Sequence, residues 1–260
     1  FDRAACEGLN RVVWHTFTCS PDEMGKPGQE YCAGTHFNPN VTWWPMADAF
    51  TAYLNRCQFM LQQGLFVADA VYYYGDHVPN FTQLKAADPA RVLPGYDYDV
   101  ATEEVVLDRM DVKDGRIVLP DGMSYRLLVL PPLPAISLPV LEKMERMVEA
   151  GAVVLGPKPA RASGLGNQPQ NDREVGRIAD RLWGADGAGR RIGKGCAVVG
   201  RSAREILRAD GIPPDFDYHV PHSSVNKQTG VQNVSLDYIH RRDGETDIYF
   251  IRNCTDAPVA

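Results

Sequence analysis

The stretch His15–Trp44, HTFTCSPDEMGKPGQEYCAGTHFNPNVTWW, gathers His15, His36, Glu23, Glu30, Asn38, Asn40, Tyr31, Phe37 and the pair Trp43–Trp44 within 30 residues. Planar polar side chains hydrogen-bond sugar hydroxyls, and aromatic faces stack on the C–H patches of a pyranose ring. This inventory therefore suits a carbohydrate cleft. The same aromatics could equally pack on one another to hold a rigid loop, and composition leaves both readings open. Glycoside hydrolysis needs two carboxylates flanking one bond, one as acid and one as base or nucleophile. The acids of this region are Asp22, Glu23, Glu30 and Asp48, and Glu30, between Gly28 and Gly34, is the candidate among them. A second carboxylate in a comparable setting is not evident.

Other constellations carry less. A thiol amidotransferase places its cysteine in a GxCxG elbow between strand and helix, with a His-x-Glu further on. Here Cys196 stands in GKGCAVVG at the start of a strand, and neither His219 nor His222 has Glu two positions later. The glycines at 184, 187, 189, 193 and 195 precede a strand and miss the spacing of a dinucleotide loop. Asp97 and Asp99 in GYDYD could hold a cation or simply terminate a strand.

The elements that would position these groups follow from periodicity and punctuation. Leu9–Phe17 reads as a buried strand by its β-branched and aromatic content, placing His15 at its end. Cys19–His36 is rich in proline and glycine and reads as a long loop. Trp44–Gly64 carries Phe50, Tyr53, Leu54, Cys57, Met60 and Leu61 at helical spacing, with Pro45 near the start and Gly64 at the end. Leu65–Tyr74 is a strand. Strands at 96–100, 152–155 and 196–199 then alternate with helices at 102–110, 138–150, 172–183 and 202–209. Asp114-Gly115 and Asp121-Gly122 mark turns between the short strands 112–119 and 123–130. This alternation predicts an α/β fold with an open, mostly parallel sheet covered on both faces. The last part, 234–240 and 247–252 around Asp243-Gly244, reads as a hairpin.

The 260 residues carry 27 Lys+Arg against 33 Asp+Glu and are 44% hydrophobic, an ordinary globular balance. The mildly acidic charge and the lack of a basic stripe argue against a nucleic-acid partner. No apolar run reaches the roughly 18 residues of a membrane span. Six cysteines lie far apart without a CxxC, which points to buried free thiols rather than a zinc knuckle or disulfide scaffold.

Several segments together resemble the bacterial α-L-rhamnosidases of glycoside hydrolase family 106. They are LNRVVWHTFTCSP, PGQEYCAGTHFNPNVTWWP, YLNRCQFMLQQGLFVADAVYYYGDHVPNF, LPGYDYDV, LPDGMSYRLLVLP and HRRDGETDIYFIRN, and the likeness runs over nearly the whole chain. The resemblance implies the terminal part of a (β/α)8 catalytic barrel over residues 1–75. A flavodoxin-like (class I amidotransferase-like) α/β domain over 76–212 would follow, and then a β segment over 213–260 leading into a sandwich domain. It implies a glycosidase acting on rhamnosyl linkages in polysaccharides or glycosides, in the periplasm or outside a bacterium. A complete barrel takes about 250 residues, so the catalytic acid and base are expected upstream of Phe1 and this chain is expected to be inactive alone. What carries over is a substrate-binding wall of His15, Glu30, Tyr31, His36, Asn38, Trp43 and Trp44. The family's use of calcium maps onto no ligand set in this sequence. An alternative is that the α/β part is a non-catalytic module for domain packing or homo-oligomer formation.

Overall fold

The computed structural model describes residues 1–15, 17–29, 31–32, 37–82, 84–219 and 235–255. The principal elements are the helices α1 (Asp2–Cys6), α2 (Ala47–Leu61), α3 (Leu138–Ala150), α4 (Gln170–Trp183) and α5 (Ala203–Ala209). The principal strands are β1 (Ala70–Tyr73), β2 (Tyr98–Ala101), β3 (Leu127–Val129), β4 (Val153–Leu155), β5 (Arg191–Ile192), β6 (Gly195–Val198), β7 (Leu236–Asp243) and β8 (Thr246–Asn253). The chain divides into two compact units: residues 1–64 with 234–260, and residues 65–233.

The first unit pairs helices with a hairpin. β7 and β8 are antiparallel in continuous register from Leu236 opposite Asn253 to Asp243 opposite Thr246, which leaves Gly244 and Glu245 as the loop. Gly244 has φ of +56°, the left-handed conformation that a two-residue hairpin loop requires. α1 packs on this hairpin, where the Phe1 ring meets Phe250 edge-on at 6.4 Å. The Tyr53 hydroxyl donates to Asp2 at 2.8 Å and joins α1 to α2. At the end of α2, whose last carbonyls have no helical partner, the Arg241 guanidinium donates to the carbonyls of Gln63 and Gly64, both at 2.6 Å. α2 starts and stops near the expected residues. It buries only Ala47, Leu54 and Leu61, however, and Phe50, Phe59 and Met60 stay largely exposed.

The expected strand at Leu9–Phe17 is a correction. Residues 9–15 form no strand, Val13 is 83% exposed, and no described strand pairs with them. β-branched and aromatic content favours an extended backbone, but without a neighbouring ladder its N–H groups need other partners. The backbone N–H of Val12 finds the Gln58 side chain at 2.5 Å, and Arg11 reaches Gln62 at 3.0 Å.

The second unit is the α/β part. Its six-stranded sheet runs β5-β6-β4-β3-β1-β2. β5 is antiparallel to β6, and every other neighbouring pair is parallel. Numbering only the five parallel strands in chain order, their spatial order is 2-1-3-4-5, so the direction of winding reverses at β1. β1, on the barrel side of the expected boundary at 75/76, lies inside this sheet. α3 and α4 cover one face through Val140, Leu141, Met144, Val175, Ile178 and Leu182, together with the fully buried Trp183. On the other face α5 contributes Ala203, Ile206 and Leu207 over Tyr72, Tyr98, Leu127 and Val129.

Local punctuation worked as expected in several places. α3 ends at Gly151, with φ of +129°, and α4 ends at Gly184, with φ of +79°. Asp114 and Gly115 both have positive φ between the antiparallel strands Asp111–Lys113 and Arg116–Val118. The expected helix 102–110 is present over 103–109, its Val105–Arg109 part wound as a π-helix. The expected 123–130 strand is two pieces: Ser124–Tyr125 stays with the small antiparallel sheet, and β3 enters the parallel one.

Candidate functional site

The aromatic residues of 14–44 meet around one ring. Phe37 is buried to 9% exposure in the first unit. Trp14 lies parallel on it at 4.4 Å, while Trp44 and Trp43 approach it at 5.3 and 5.7 Å. Phe17 closes the group edge-on against Phe37 at 6.4 Å and against Trp44 at 6.0 Å. Each such pair contributes about 0.5–1.5 kcal/mol beyond the area it buries. Packing therefore accounts for the inner face of this cluster. It does not account for the outer face, since Phe17, Trp14 and Trp43 remain 58, 42 and 36% exposed.

The loop that carries these rings is held by short polar contacts. Ser20 Oγ accepts the N–H of Gln29 at 2.8 Å, and Gly28 leaves room for that contact: a Cβ there would lie 1.9 Å from Ser20 Oγ. Asn38, only 3% exposed, turns its side-chain oxygen to the N–H of Asn40 at 2.9 Å. Its carboxamide thus closes a local turn, followed by the bond from Val41 N–H to the Asn38 carbonyl at 3.3 Å. His15 and Tyr31 are both exposed, with rings 5.2 Å apart and nearly perpendicular at 70°.

Of the substrate-wall residues drawn from the sequence, Trp43 and Trp44 are brought together on Phe37, and His15 and Tyr31 pair beside one another. Asn38 lies under the loop as a turn-former. Glu30 and His36 fall outside the described residues. Trp14 and Phe17, assigned to a buried strand, are instead exposed members of the cluster. The signal that could have found them is the concentration of aromatics on both sides of one proline- and glycine-rich loop.

The remaining chemical candidates are occupied structurally. Asp97 is buried and pairs with Lys85 Nζ at 2.8 Å, while Asp99 accepts the Tyr125 hydroxyl at 2.6 Å. Neither carboxylate is left for a cation. Among the described residues no group of three or more His, Cys, Asp or Glu side chains could hold a metal ion. Cys196 lies in β6 beside Arg191, and burial pushes its thiol up, the opposite of what a nucleophile requires. None of the six cysteines is in a disulfide, and only Cys6 is buried, whereas Cys19, Cys32 and Cys254 are exposed, which corrects the expectation of buried thiols. The Asp69 carboxyl, just before β1, is pushed up to about 6, chiefly by burial and then by the nearby Asp215. No helix among the described residues is long and apolar enough to cross a membrane.

Comparison with known proteins places these features in a family. A solved rhamnosidase from Novosphingobium sp. PP1Y superposes with a TM-score of 0.79 at 28% identity, covering 96% of this chain and 23% of that one. A protein of Formosa agariphila, named provisionally as a β-glucuronidase, is 35% identical over 252 residues, 97% of this chain and 20% of its own length. The chain thus spans about a fifth of that curated relative. The family model described as alpha-L-rhamnosidase, glycoside hydrolase family 106, matches residues 1–260. On that match over its full length, the chain belongs to glycoside hydrolase family 106.

Proposed function

We propose that this chain forms part of an α-L-rhamnosidase and supplies a sugar-facing wall to its active site. The observation that carries this reading is the aromatic cluster on Phe37, whose outer edges stay exposed although its inner face is packed. Such a surface offers flat apolar faces to the C–H side of a deoxy-sugar, and His15 and Tyr31, paired on the same segment, serve its hydroxyls in this reading. Glu30 and His36 belong to the same segment and complete the polar set in this reading, Glu30 being the carboxylate to test for a direct role. The catalytic acid and base are assigned to parts of the protein beyond this chain, in keeping with relatives four to five times longer. The substrates are rhamnosyl linkages in polysaccharides or glycosides, met in the periplasm or outside a bacterial cell.

The domain reading follows the same line. The parallel order 2-1-3-4-5 supports a flavodoxin-like module of the amidotransferase-like kind for the second unit. Residues 1–64 are read as the end of a (β/α)8 barrel, and the β7–β8 hairpin as the approach to a sandwich. The raised thiol of Cys196 and its place inside β6 favour a non-catalytic role for the α/β module, in domain packing or self-association.

Rhamnose binding to the 260-residue chain tests the wall. Saturable quenching of tryptophan fluorescence by L-rhamnose, weakened several-fold in Trp43→Ala, is the expected result. Absence of any binding would remove the proposal. Release of rhamnose from an aryl rhamnoside by the chain alone, abolished in Glu30→Gln, would instead place catalysis within it. Light scattering on the same chain tests self-association.

A further inference from the structure

The sheet of the second unit is covered unequally. Five parallel strands at about 4.8 Å spacing make a face roughly 24 Å wide, and a helix covers about 10 Å of it. α3 and α4 together close one face. The other has the seven-residue α5 and an irregular segment: the described residues of the connection from β1 to β2 form no helix and include Pro79, Pro89 and Pro94. What remains is a cleft of about 660 Å³ at the carboxyl ends of β1, β3, β4 and β6, next to the reversal of strand order at β1. Open α/β sheets bind ligands at this position, and the volume falls within the range of small-molecule sites.

The lining specifies the chemistry. Tyr72 and Tyr98 lie stacked at 4.4 Å and 13° and, although α5 covers most of both rings, they line the cleft together with Pro131, Pro132, Leu133 and Pro157. The Tyr72 hydroxyl is held by Asp88 at 2.8 Å, which fixes the ring. A glycan would need a hydrogen-bonding group for each of several hydroxyls, and these walls are mostly hydrocarbon. Besides four tyrosines, the charged or titratable side chains among the described lining residues are Arg201 and His77, and no carboxylate is among them. Arg201 is exposed, and one of its nitrogens donates to the Glu205 carbonyl at 2.8 Å; among the described lining residues it supplies the guanidinium that can pair with an anion. Gly200 beside it has open space where a Cβ would stand.

We infer that this cleft is a second ligand site, distinct from the sugar-facing wall. It takes a small organic monoanion with an apolar ring body, the ring against Tyr72 and Tyr98 and the acid group on Arg201. The probe is 2-naphthoate, with uncharged 2-naphthylmethanol as its control, titrated by calorimetry into the 260-residue chain. One saturable site for 2-naphthoate is expected, tighter than for the alcohol, at least fivefold weaker in Arg201→Ala and lost in Leu133→Trp. Among the described residues Arg201 bonds locally, to α5, so its removal leaves the fold in place, and far-UV circular dichroism checks Leu133→Trp. No saturable binding up to millimolar concentration would overturn the inference. So would equal affinities for acid and alcohol, or binding indifferent to both substitutions in folded protein.

Discussion

Trp14 lies face to face with Phe37, ring centroids 4.4 Å apart and planes within 8°. This stack joins the extended segment before the loop to the ring at the centre of the cluster. Phe37→Ala removes the partner of four other aromatics and is expected to cost the first unit about 3 kcal/mol. Trp14, Trp43 and Trp44 belong to that unit and Trp183 to the other, so fluorescence during urea unfolding reads the effect. An unchanged transition would mean that the exposed rings are held by something other than Phe37.

Gly28 has φ of +87°, and a Cβ there would press on Ser20 Oγ. Gly28→Ala is therefore expected to destabilise the loop by about 1–2 kcal/mol and to break the bond from Gln29 N–H to Ser20. Faster amide exchange at Gln29 is the signature, and the double variant Ser20→Gly/Gly28→Ala should recover only the steric part. If Gly28→Ala leaves exchange at Gln29 as it was, the loop is not fixed by this contact.

In the second unit, Ser202 caps α5 reciprocally: its Oγ accepts Glu205 N–H at 3.2 Å, and Glu205 accepts Ser202 N–H at 2.7 Å. Ser202→Ala is expected to cost about 1 kcal/mol, while Ser202→Asp retains most of it. Denaturant midpoints of the two variants decide between a cap and a solvated serine.

The Asp69 carboxyl, pushed up to about 6 by burial and by Asp215 against the opposing pull of Arg116 and Arg126, gives a pH dependence of known sign. An unfolded aspartate titrates near ~3.9. Between about 4 and 6 the folded chain holds the proton that the unfolded chain has released, so this group's contribution is full below about 4 and lost as pH rises past 6. Asp69→Asn should flatten the fall in stability across that window and leave the protein more stable than wild type at pH 7. A wild-type slope retained in Asp69→Asn would assign the dependence elsewhere.

Much of the second unit was legible in the sequence because its signals are local. Helices α3, α4 and α5 stand where apolar spacing and the terminal glycines or Ser202 put them, and the Asp-Gly turns fall at their expected places. Strand order was not legible, because β1 pairs with β2 and β3 across dozens of intervening residues that carry no pairing code. Leu9–Phe17 failed for a related reason: strand-like composition describes a backbone preference, and pairing needs a neighbour. Within the candidate site the residue types were legible and their burial was not. Asn38 and Trp43 look equally available in the sequence, yet one closes a turn under the loop and the other keeps a free edge.

The first unit is assembled from the two ends of the chain, with the Phe1 ring against Phe250 and Arg241 on the carbonyls after α2. On a ribosome, residues 1–64 emerge long before β7 and β8 exist. They must wait through the synthesis of 65–233, which is continuous and can collapse by itself. The surfaces of α1 and the end of α2 that meet β7 and β8 are therefore uncovered during that interval. At a synthesis rate of roughly 5–20 residues per second the interval lasts on the order of 10–30 s. α1 and the end of α2 are accordingly the parts of residues 1–64 that a folding helper would hold until the hairpin arrives.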